Sequence, residues 1–272
     1  MRPVIIVGNG LFGSIAASLC RANNFAVTVV SSEEKLAASK ASGCVLAPSW
    51  LNSLEKNQIN TAMQVLSSLY KVEDMVFKTN ILKTFKAQRV NPDEVLIKPD
   101  VVGKVAAVGD GIVTLEDGRK LKGKVLVAAG VWSAHLVSMP SIRGLYGASL
   151  RFSNTQLLDP SINVYAPYRQ AVAFNLNKRS VWMGDGTALI QKTWLREEAA
   201  RVKATTSHAA DLFGLTSKCA VNIGVRPYVE GYKAGYFEQV TPSTWVSTGG
   251  AKNGTVLAAW QAQKFLEAIC RK

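Results

Sequence analysis

Val4-Ile5-Ile6-Val7-Gly8-Asn9-Gly10-Leu11-Phe12-Gly13 combines an apolar run with a glycine-rich turn, and it is the strongest fold signal near the N-terminus. The apolar run over 3–7 predicts a buried parallel strand. Residues 14–23 have apolar side chains at helical spacing, and residues 26–30 form a second apolar run. A strand, a helix and a strand within about 30 residues predict a βαβ unit.

The glycines between the first strand and the helix follow the pattern G-x-G-x-x-G. Gly8 permits a tight turn, Gly10 lets the backbone approach a pyrophosphate, and Gly13 lets the helix pack closely on the strand. The start of the helix, with Leu11 and Phe12, presents N–H groups and partial positive charge to the phosphates. The segment superficially resembles a secretion signal, but its three glycines favour a dinucleotide-binding turn.

The end of the second strand departs from this pattern. A carboxylate normally stands there and binds a ribose hydroxyl. Here Ser31 and Ser32 follow the strand, and Glu33 and Glu34 come next. Either Ser31 takes a weaker role at the ribose, or one of the two glutamates reaches back.

The rest of the chain predicts an α/β fold, a doubly wound Rossmann-like layer with an inserted antiparallel β-sheet. The expected elements are a helix within 50–71, a three-stranded meander over 101–122, a strand at 124–129, an antiparallel sheet over 142–184, a helix at 193–213, a strand at 244–248 and a helix at 254–269. The predicted nucleotide-binding domain covers 1–140 and 220–272, and the predicted substrate domain covers 141–219.

Composition excludes several classes of protein. The four cysteines are widely spaced, without a C-x-x-C pair, and there are only two histidines, His135 and His208. This argues against a metal site or a disulfide framework and is typical of the reducing cytoplasm. No apolar run is long enough for a transmembrane helix, so no membrane association is expected.

The charge is strongly positive. Lys and Arg number 32 and Asp and Glu 19, which gives a net charge of +13. Residues 1–150 carry 17 basic and 11 acidic side chains, and residues 151–272 carry 15 and 8. A positive field spread over both halves favours a polyanion such as nucleic acid, although charge of this kind also serves solubility alone.

Five further motifs, in order, resemble those of the FAD-dependent amino-acid oxidase family, which includes glycine oxidase, sarcosine oxidase and D-amino-acid oxidase. They are the small-residue segment Ala38-Ser39-Lys40-Ala41-Ser42-Gly43 with Leu46-Ala47-Pro48, then Val127-Ala128-Ala129-Gly130-Val131-Trp132-Ser133, Ile142-Arg143-Gly144, Gly224-Val225-Arg226-Pro227, and Thr248-Gly249-Gly250-Ala251-Lys252-Asn253-Gly254. The chain is shorter than typical members between Pro48 and Val101 and in the substrate sheet, which indicates a more open site. The alternative is another flavoprotein of this fold with a different substrate domain.

The resemblance implies that the doubly wound layer is of the FAD-binding, glutathione-reductase type, with FAD as cofactor. It also implies hydride transfer from a carbon beside an amine nitrogen to the flavin N5, followed by hydrolysis of the imine and reoxidation by oxygen. The expected FAD-binding residues are Gly8, Gly10, Leu11, Phe12, Gly13, Ser31, Ser32, Ser39, Lys40, Ser42, Gly43, Val105, Ala129, Gly130, Trp132, Gly249, Gly250, Ala251, Lys252, Asn253 and Gly254.

The resemblance also implies three catalytic residues. Arg226 would clamp a substrate carboxylate, unless it forms a structural salt bridge. Lys252 and Asn253 lie in the turn that would face the flavin's pyrimidine edge, although Lys252 can equally be solvated. Weaker candidates for the pocket wall are Tyr165, Tyr168 and Arg169. Cys44 adjoins the flavin-binding segment, either as the site of a covalent link or as a small buried thiol.

Three functions remain open from the sequence. The first is oxidation of a glycine-type secondary amine on a modified nucleobase, favoured by the charge and the short substrate region. The family includes the FAD domain of an enzyme that removes a carboxymethyl group from an aminomethyl-uridine in transfer RNA, and phage DNA with glycine-decorated thymine would be an analogous target. The second is oxidation of a free small amino acid such as glycine, sarcosine or a D-amino acid. The third is a non-catalytic flavin-binding subunit, which retention of Arg226 disfavours.

Overall fold

The computed structural model describes residues 3–32, 37–47, 51, 54–78, 84–157, 161–166, 169–184, 189–190, 207, 213–215, 217–232, 234–251 and 253–271. Its strands are β1 (Val4–Val7), β2 (Val27–Ser31), β3 (Val45–Leu46), β4 (Val72–Lys78), β5 (Thr84–Val90), β6 (Val101–Val102), β7 (Val105–Val108), β8 (Ile112–Leu115), β9 (Lys120–Lys122), β10 (Lys124–Val127), β11 (Ile142–Ser153), β12 (Ser161–Ala166), β13 (Arg169–Asn177), β14 (Ser180–Gly184), β15 (Leu189–Ile190), β16 (Cys219–Val229), β17 (Tyr236–Thr241) and β18 (Thr244–Thr248). Its helices are α1 (Leu11–Ala22), α2 (Lys56–Leu69), α3 (Pro92–Val95) and α4 (Gly254–Cys270), with 3₁₀ turns at Ala38–Ala41 and Gly130–His135.

The first sheet has the strand order β17-β18-β10-β1-β2-β6. Strands β18, β10, β1, β2 and β6 run parallel, and β17 is antiparallel at one edge. Strand β1 is buried along its whole length, because sheet neighbours flank it and both faces are covered. This is the doubly wound layer expected from the sequence, with the N-terminal βαβ unit at its centre.

Different elements pack against the two faces of this sheet. Ile6 lies on one face and packs in one core with Ile15 of α1 and Phe265 of α4. Ile5 lies on the opposite face and packs with Val113 of β8, within the small sheet β7-β8-β9. The alternation follows from strand geometry, since successive side chains point to opposite faces.

The second sheet has nine strands, in the order β15-β11-β14-β13-β12-β4-β5-β3, with β16 paired to β11. Strands β4 and β5 were not expected from the sequence. They extend the antiparallel sheet predicted over 142–184 with residues from the first half of the chain. The boundaries of the two domains therefore stay a prediction.

The remaining elements agree closely with expectation. The predicted strand at 244–248 coincides with β18, and α4 begins at Gly254 as predicted. The expected helix within 50–71 is α2, which starts with a capping box between Glu55 and Gln58. Most of the predicted helix at 193–213 lies outside the described residues. Among the helices of the described part of the chain, none has the length and apolar character needed to span a membrane.

Candidate functional site

Glycine is needed at each position of the G-x-G-x-x-G turn for a different structural reason. Gly8 has φ +107°, in the left-handed region that favours glycine, and a Cβ there would lie 2.5 Å from the carbonyl oxygen of Ala128. A Cβ on Gly13 would lie only 1.9 Å from the oxygen of Gly8. Gly13 therefore permits the close packing of α1 on β1 that the sequence predicted.

The small-residue segment closes over the start of α1. The Leu11 N–H donates a hydrogen bond to Ser39 Oγ at 2.8 Å. A Cβ on Gly10 would lie 2.9 Å from the same oxygen. The first N–H groups of a helix have no partners within the helix, so they need acceptors from elsewhere. Ser39 Oγ is such an acceptor at the N-terminus of α1.

The ribose end of the site is polar. The Ser31 hydroxyl donates to Asn9 Oδ1 at 2.8 Å, and the Asn9 amide donates to the Ile97 carbonyl at 3.2 Å. Ser31 and Ser32 both line the cavity, which leaves Ser31 as a candidate for the ribose contact. Glu33 and Glu34 lie outside the described residues, so this alternative stays a prediction.

A cavity of about 780 Å³ joins the two large sheets. The predicted site residues that line it are Gly8, Gly10, Leu11, Phe12, Ser31, Ser32, Ser39, Ser42, Gly43, Val105, Ala129, Gly130, Trp132, Arg226, Gly250, Ala251 and Gly254. Gly13, Lys40, Gly249 and Asn253 are not among its lining residues, and Lys252 lies outside the described part of the chain. A volume of this size is typical of a site for a large organic ligand.

The closing turn packs against two other motifs. The Ala251 N–H donates to the Pro227 carbonyl at 3.2 Å, which brings the turn beside Arg226. A Cβ on Gly250 would lie 2.9 Å from the Phe12 ring. Helix α4 starts at Gly254, so its N-terminus points into the same cavity as that of α1.

The nine-stranded sheet contributes three glycines and a valine to the cavity lining. Directly opposed residues of neighbouring strands share a face. Gly224 of β16 is opposite Gly147 of β11, and Gly184 of β14 is opposite Val172 of β13. All four line the cavity. Two of the glycines permit close packing, since a Cβ at Gly224 would lie 2.7 Å from Ala38 Cα and a Cβ at Gly184 would lie 2.5 Å from Trp182 Cη2.

Two weaker candidates for the pocket wall are only partly located. Tyr165 and Arg169 lie in the hairpin of β12 and β13, at positions whose side chains fall outside the described part of the structure, as does the whole of Tyr168. Their predicted role stays a prediction.

Cys44 lines the cavity with an unusual backbone. Its φ is +48°, and the residue is buried. Burial is the main cause that raises the pKa of its thiol, and hydrogen bonding with Ser42 and Thr255 only partly offsets this. A thiol held in its neutral form is a poor nucleophile, which favours the small buried thiol over a covalent flavin link.

Several lining residues were not found from the sequence. Asn9 occupies a variable position of the glycine motif, and Lys104 and His135 lie in connections. Trp182 and Gly184 lie on β14, and only the pairing of β14 with β11 places them in the cavity. No local pattern could have identified these two residues, because their role depends on strand register.

Several proteins of known structure are similar to this chain in fold. No protein-family model and no curated protein sequence matches the chain. The structure of iminodiacetate oxidase from Chelativorans sp. BNC1 matches 98% of this chain and 95% of its own, at 12% identity and a TM-score of 0.68. Glycine oxidase from Geobacillus kaustophilus matches 100% and 95%, at 15% identity and a TM-score of 0.71.

A third similar structure contains the cofactor expected from the sequence. Glycerol-3-phosphate dehydrogenase from Bacillus halodurans, complexed with FAD, matches 99% of this chain and 65% of its own, at 12% identity and a TM-score of 0.66. Together these likenesses establish the fold, a Rossmann-like layer joined to a large antiparallel sheet. The predicted fold class, and the predicted resemblance to glycine oxidase at the level of fold, are confirmed.

Proposed function

We propose that this protein is an FAD-dependent oxidase of a glycine-type secondary amine. The observation that carries the proposal is one continuous cavity that is lined both by the glycine-rich turn and by Arg226. A dinucleotide that spans this cavity would place its reactive ring between Arg226 and the closing turn. The similar structures of iminodiacetate oxidase and glycine oxidase support this class of chemistry.

The residues present fit FAD. The N-terminus of α1 and Ser39 would hold the pyrophosphate, since backbone N–H groups and a hydroxyl meet there. The N-terminus of α4 would face the ring, where its partial positive charge stabilises the negative charge gained on reduction. When bound, FAD supplies the hydride acceptor, and oxygen is the expected final electron acceptor.

Arg226 would orient the substrate. A guanidinium offers a planar fork of donors that matches a carboxylate. Arg226 is half-buried on the cavity face of the nine-stranded sheet, beside the closing turn. A glycyl group bound there by its carboxylate would present its α-carbon towards the ring. Asn253, just before α4, and Lys252 remain candidate catalytic residues of the turn.

We further propose that the amine is carried on a nucleobase. The net charge of +13 supports this, because a polyanion gains from a broad positive field whereas a small zwitterion gains little. The alternative substrate is a free small amino acid such as glycine or sarcosine.

One assay panel separates these substrates. The FAD-loaded protein is mixed with glycine, sarcosine, a D-amino acid, or RNA and DNA that carry a glycine-type modified base, and hydrogen peroxide and glyoxylate are measured. The proposal expects turnover on the modified polynucleotide and little on free amino acids. Turnover confined to free amino acids would overturn the nucleobase assignment and leave the oxidase assignment standing.

Binding to unmodified nucleic acid provides a second test. The affinity should fall steeply with salt, with a log–log slope of about −0.7 to −0.9 for each phosphate contacted. If no nucleic acid binds in a salt-dependent way, the positive charge serves solubility and the polynucleotide substrate is excluded.

A further inference from the structure

The described lining of the cavity contains basic side chains but no carboxylate. Its charged or titratable residues are Lys104, His135, Arg226 and Cys44. In dinucleotide sites of this fold, a carboxylate at the end of the second strand commonly binds the ribose hydroxyls. Such a carboxylate repels a phosphate on the ribose, because both groups are negative. Ser31 stands at that place, so this repulsion is missing from the described part of the site.

The Ser31 hydroxyl belongs to an uncharged hydrogen-bond network. It donates to Asn9 Oδ1 at 2.8 Å, and the Asn9 amide donates to the Ile97 carbonyl at 3.2 Å. Ser14 Oγ closes the network, because it donates to the Asn9 carbonyl at 2.9 Å and accepts from the Ile97 N–H at 3.2 Å. With its proton directed to Asn9, the Ser31 oxygen still has acceptor capacity for a ribose hydroxyl. It can bind the ribose without adding negative charge.

A lysine follows directly after the residue that pairs with Ser31. The Gly103 N–H donates to the Ser31 carbonyl at 3.0 Å, where β6 lies beside β2. Lys104 comes next in the chain and lines the cavity, as do Ser31 and Ser32. A lysine ammonium on its flexible stem is a common ligand of phosphate groups. The ribose end therefore combines neutral hydroxyls with a cation.

The carboxylates near this end are bound by basic side chains at the surface. Lys104 Nζ lies 2.7 Å from Glu116 Oε1, and the two side chains are 66% and 54% exposed. An ion pair exposed to this degree contributes little, since water and salt screen it. Asp100, just before β6, pairs with Arg21 at 2.7 Å and is not among the lining residues. A phosphate monoester, with nearly two negative charges, is a stronger partner for Lys104 than the single charge of Glu116.

We propose that the ribose end of the cavity binds adenine nucleotides whose ribose carries an additional phosphate. Lys104 binds this phosphate, and Ser31 accepts a hydrogen bond from the ribose hydroxyl that remains. The inference adds a class of ligand that competes with FAD, and it rests on the proposed function only in taking the glycine-rich turn as the nucleotide site. A phosphate on either of the two ribose hydroxyl oxygens has the chemistry required.

Competition with FAD measures the preference. The full chain is titrated with FAD alone and with FAD in the presence of 5′-AMP, adenosine 2′,5′-bisphosphate or adenosine 3′,5′-bisphosphate. The apparent Kd of FAD then gives the affinity of each competitor. At least one bisphosphate should bind roughly 10-fold tighter than 5′-AMP, since it gains one charge-assisted contact. The tighter of the two identifies the ribose oxygen that carries the phosphate, and the preference should shrink at high salt.

Variants should move this preference in opposite directions. Lys104→Gln removes the cation and should abolish the preference, whereas Glu116→Gln removes the competing carboxylate and should increase it by roughly 3-fold. Ser31→Asp places a carboxylate at the end of β2 and should reverse the preference in favour of 5′-AMP. Lys120→Gln is the matched control, because it makes the same change of charge at an exposed residue of β9 that does not line the cavity.

The inference is overturned if neither bisphosphate binds tighter than 5′-AMP, which is the result expected if Glu33 or Glu34 reaches the ribose. It is also overturned if Lys104→Gln and Lys120→Gln lower the preference equally, because the effect then comes from the overall charge of the chain. If the chain binds FAD and shows no preference, the inference fails alone. If the chain prefers a bisphosphate by calorimetry but does not bind FAD, the proposed function fails and the inference stands.

Discussion

The backbone N–H of Leu11 donates to the hydroxyl of Ser39 at 2.8 Å, across 28 residues of sequence. This bond ties the small-residue segment to the start of α1, where the glycine-rich turn ends. It joins the first two motifs of the sequence at the point where the phosphates of FAD are expected. The contact therefore serves both the fold and the proposed cofactor site.

Ser39→Ala should lower both the stability of the fold and the affinity for FAD. Loss of an acceptor at a helix N-terminus should lower the free energy of unfolding by about 1 kcal/mol. Loss of one hydrogen-bonding group at the phosphates should raise the Kd of FAD by roughly 10-fold. Urea unfolding and a fluorescence titration with FAD measure the two effects. Ser67→Ala, on the exposed face of α2, is the control. An unchanged FAD affinity would remove Ser39 from the phosphate site.

Much of the parallel layer was predictable from local sequence. The glycine spacing predicts a strand before it and a helix after it. The positive φ of Gly8 and the close contact at Gly13 show why glycine is needed at both positions. Strand β18 and helix α4 were equally clear, because an apolar run, two glycines and a long apolar helix follow one another. In each of these elements the pattern that specifies the structure lies within a few adjacent residues.

The large antiparallel sheet was less predictable, because its pattern depends on pairs distant in sequence. On β4 the inward face carries Glu73, which breaks the alternation of polar and apolar residues. Its partner Arg89 lies directly opposite on β5 and is buried. The pairing of these two charges, together with a hydrogen bond from Arg89 to the Asn175 carbonyl, makes the buried guanidinium compatible with a core. The position of Trp182 in the cavity lining was missed for a similar reason, since it depends on the register of β14.

Glu73→Gln should reduce stability in a pH-dependent way. The hydrogen bond from Arg89 is the main cause that holds the pKa of Glu73 below its usual value. A lowered pKa in the folded state stabilises the protein above the ordinary Glu pKa of about 4.3, and this contribution is lost as pH falls through the lowered value. Because Glu73 is partly exposed, the expected loss at pH 7 is about 1 kcal/mol.

Urea unfolding of Glu73→Gln and the unmodified protein at pH 7 and at successively lower pH tests this expectation. The difference between them should shrink as the solution is made more acid. Asp74→Asn, at the neighbouring exposed position of β4, should show a smaller difference. A difference that persists unchanged into acid would contradict the role of the Glu73 carboxylate.

Arg226→Ala should impair use of a carboxylate-bearing substrate while FAD stays bound. Removal of one charge-assisted contact should cost roughly 1.5–3 kcal/mol, or about 10- to 150-fold in kcat/KM. Arg226→Lys should recover only part of the loss, because an ammonium lacks the planar fork. Steady-state kinetics with the preferred substrate and a flavin absorbance spectrum measure both properties. Unchanged kinetics would remove Arg226 from the substrate site.

The proposed function requires that the cavity between the two sheets holds FAD. The most direct measurement is the absorbance spectrum of the purified protein before and after denaturation, with the released nucleotide identified by chromatography. We expect a yellow protein that releases FAD without a covalent remnant on Cys44. A colourless protein that binds NAD but not FAD would rule out FAD as the cofactor of this cavity.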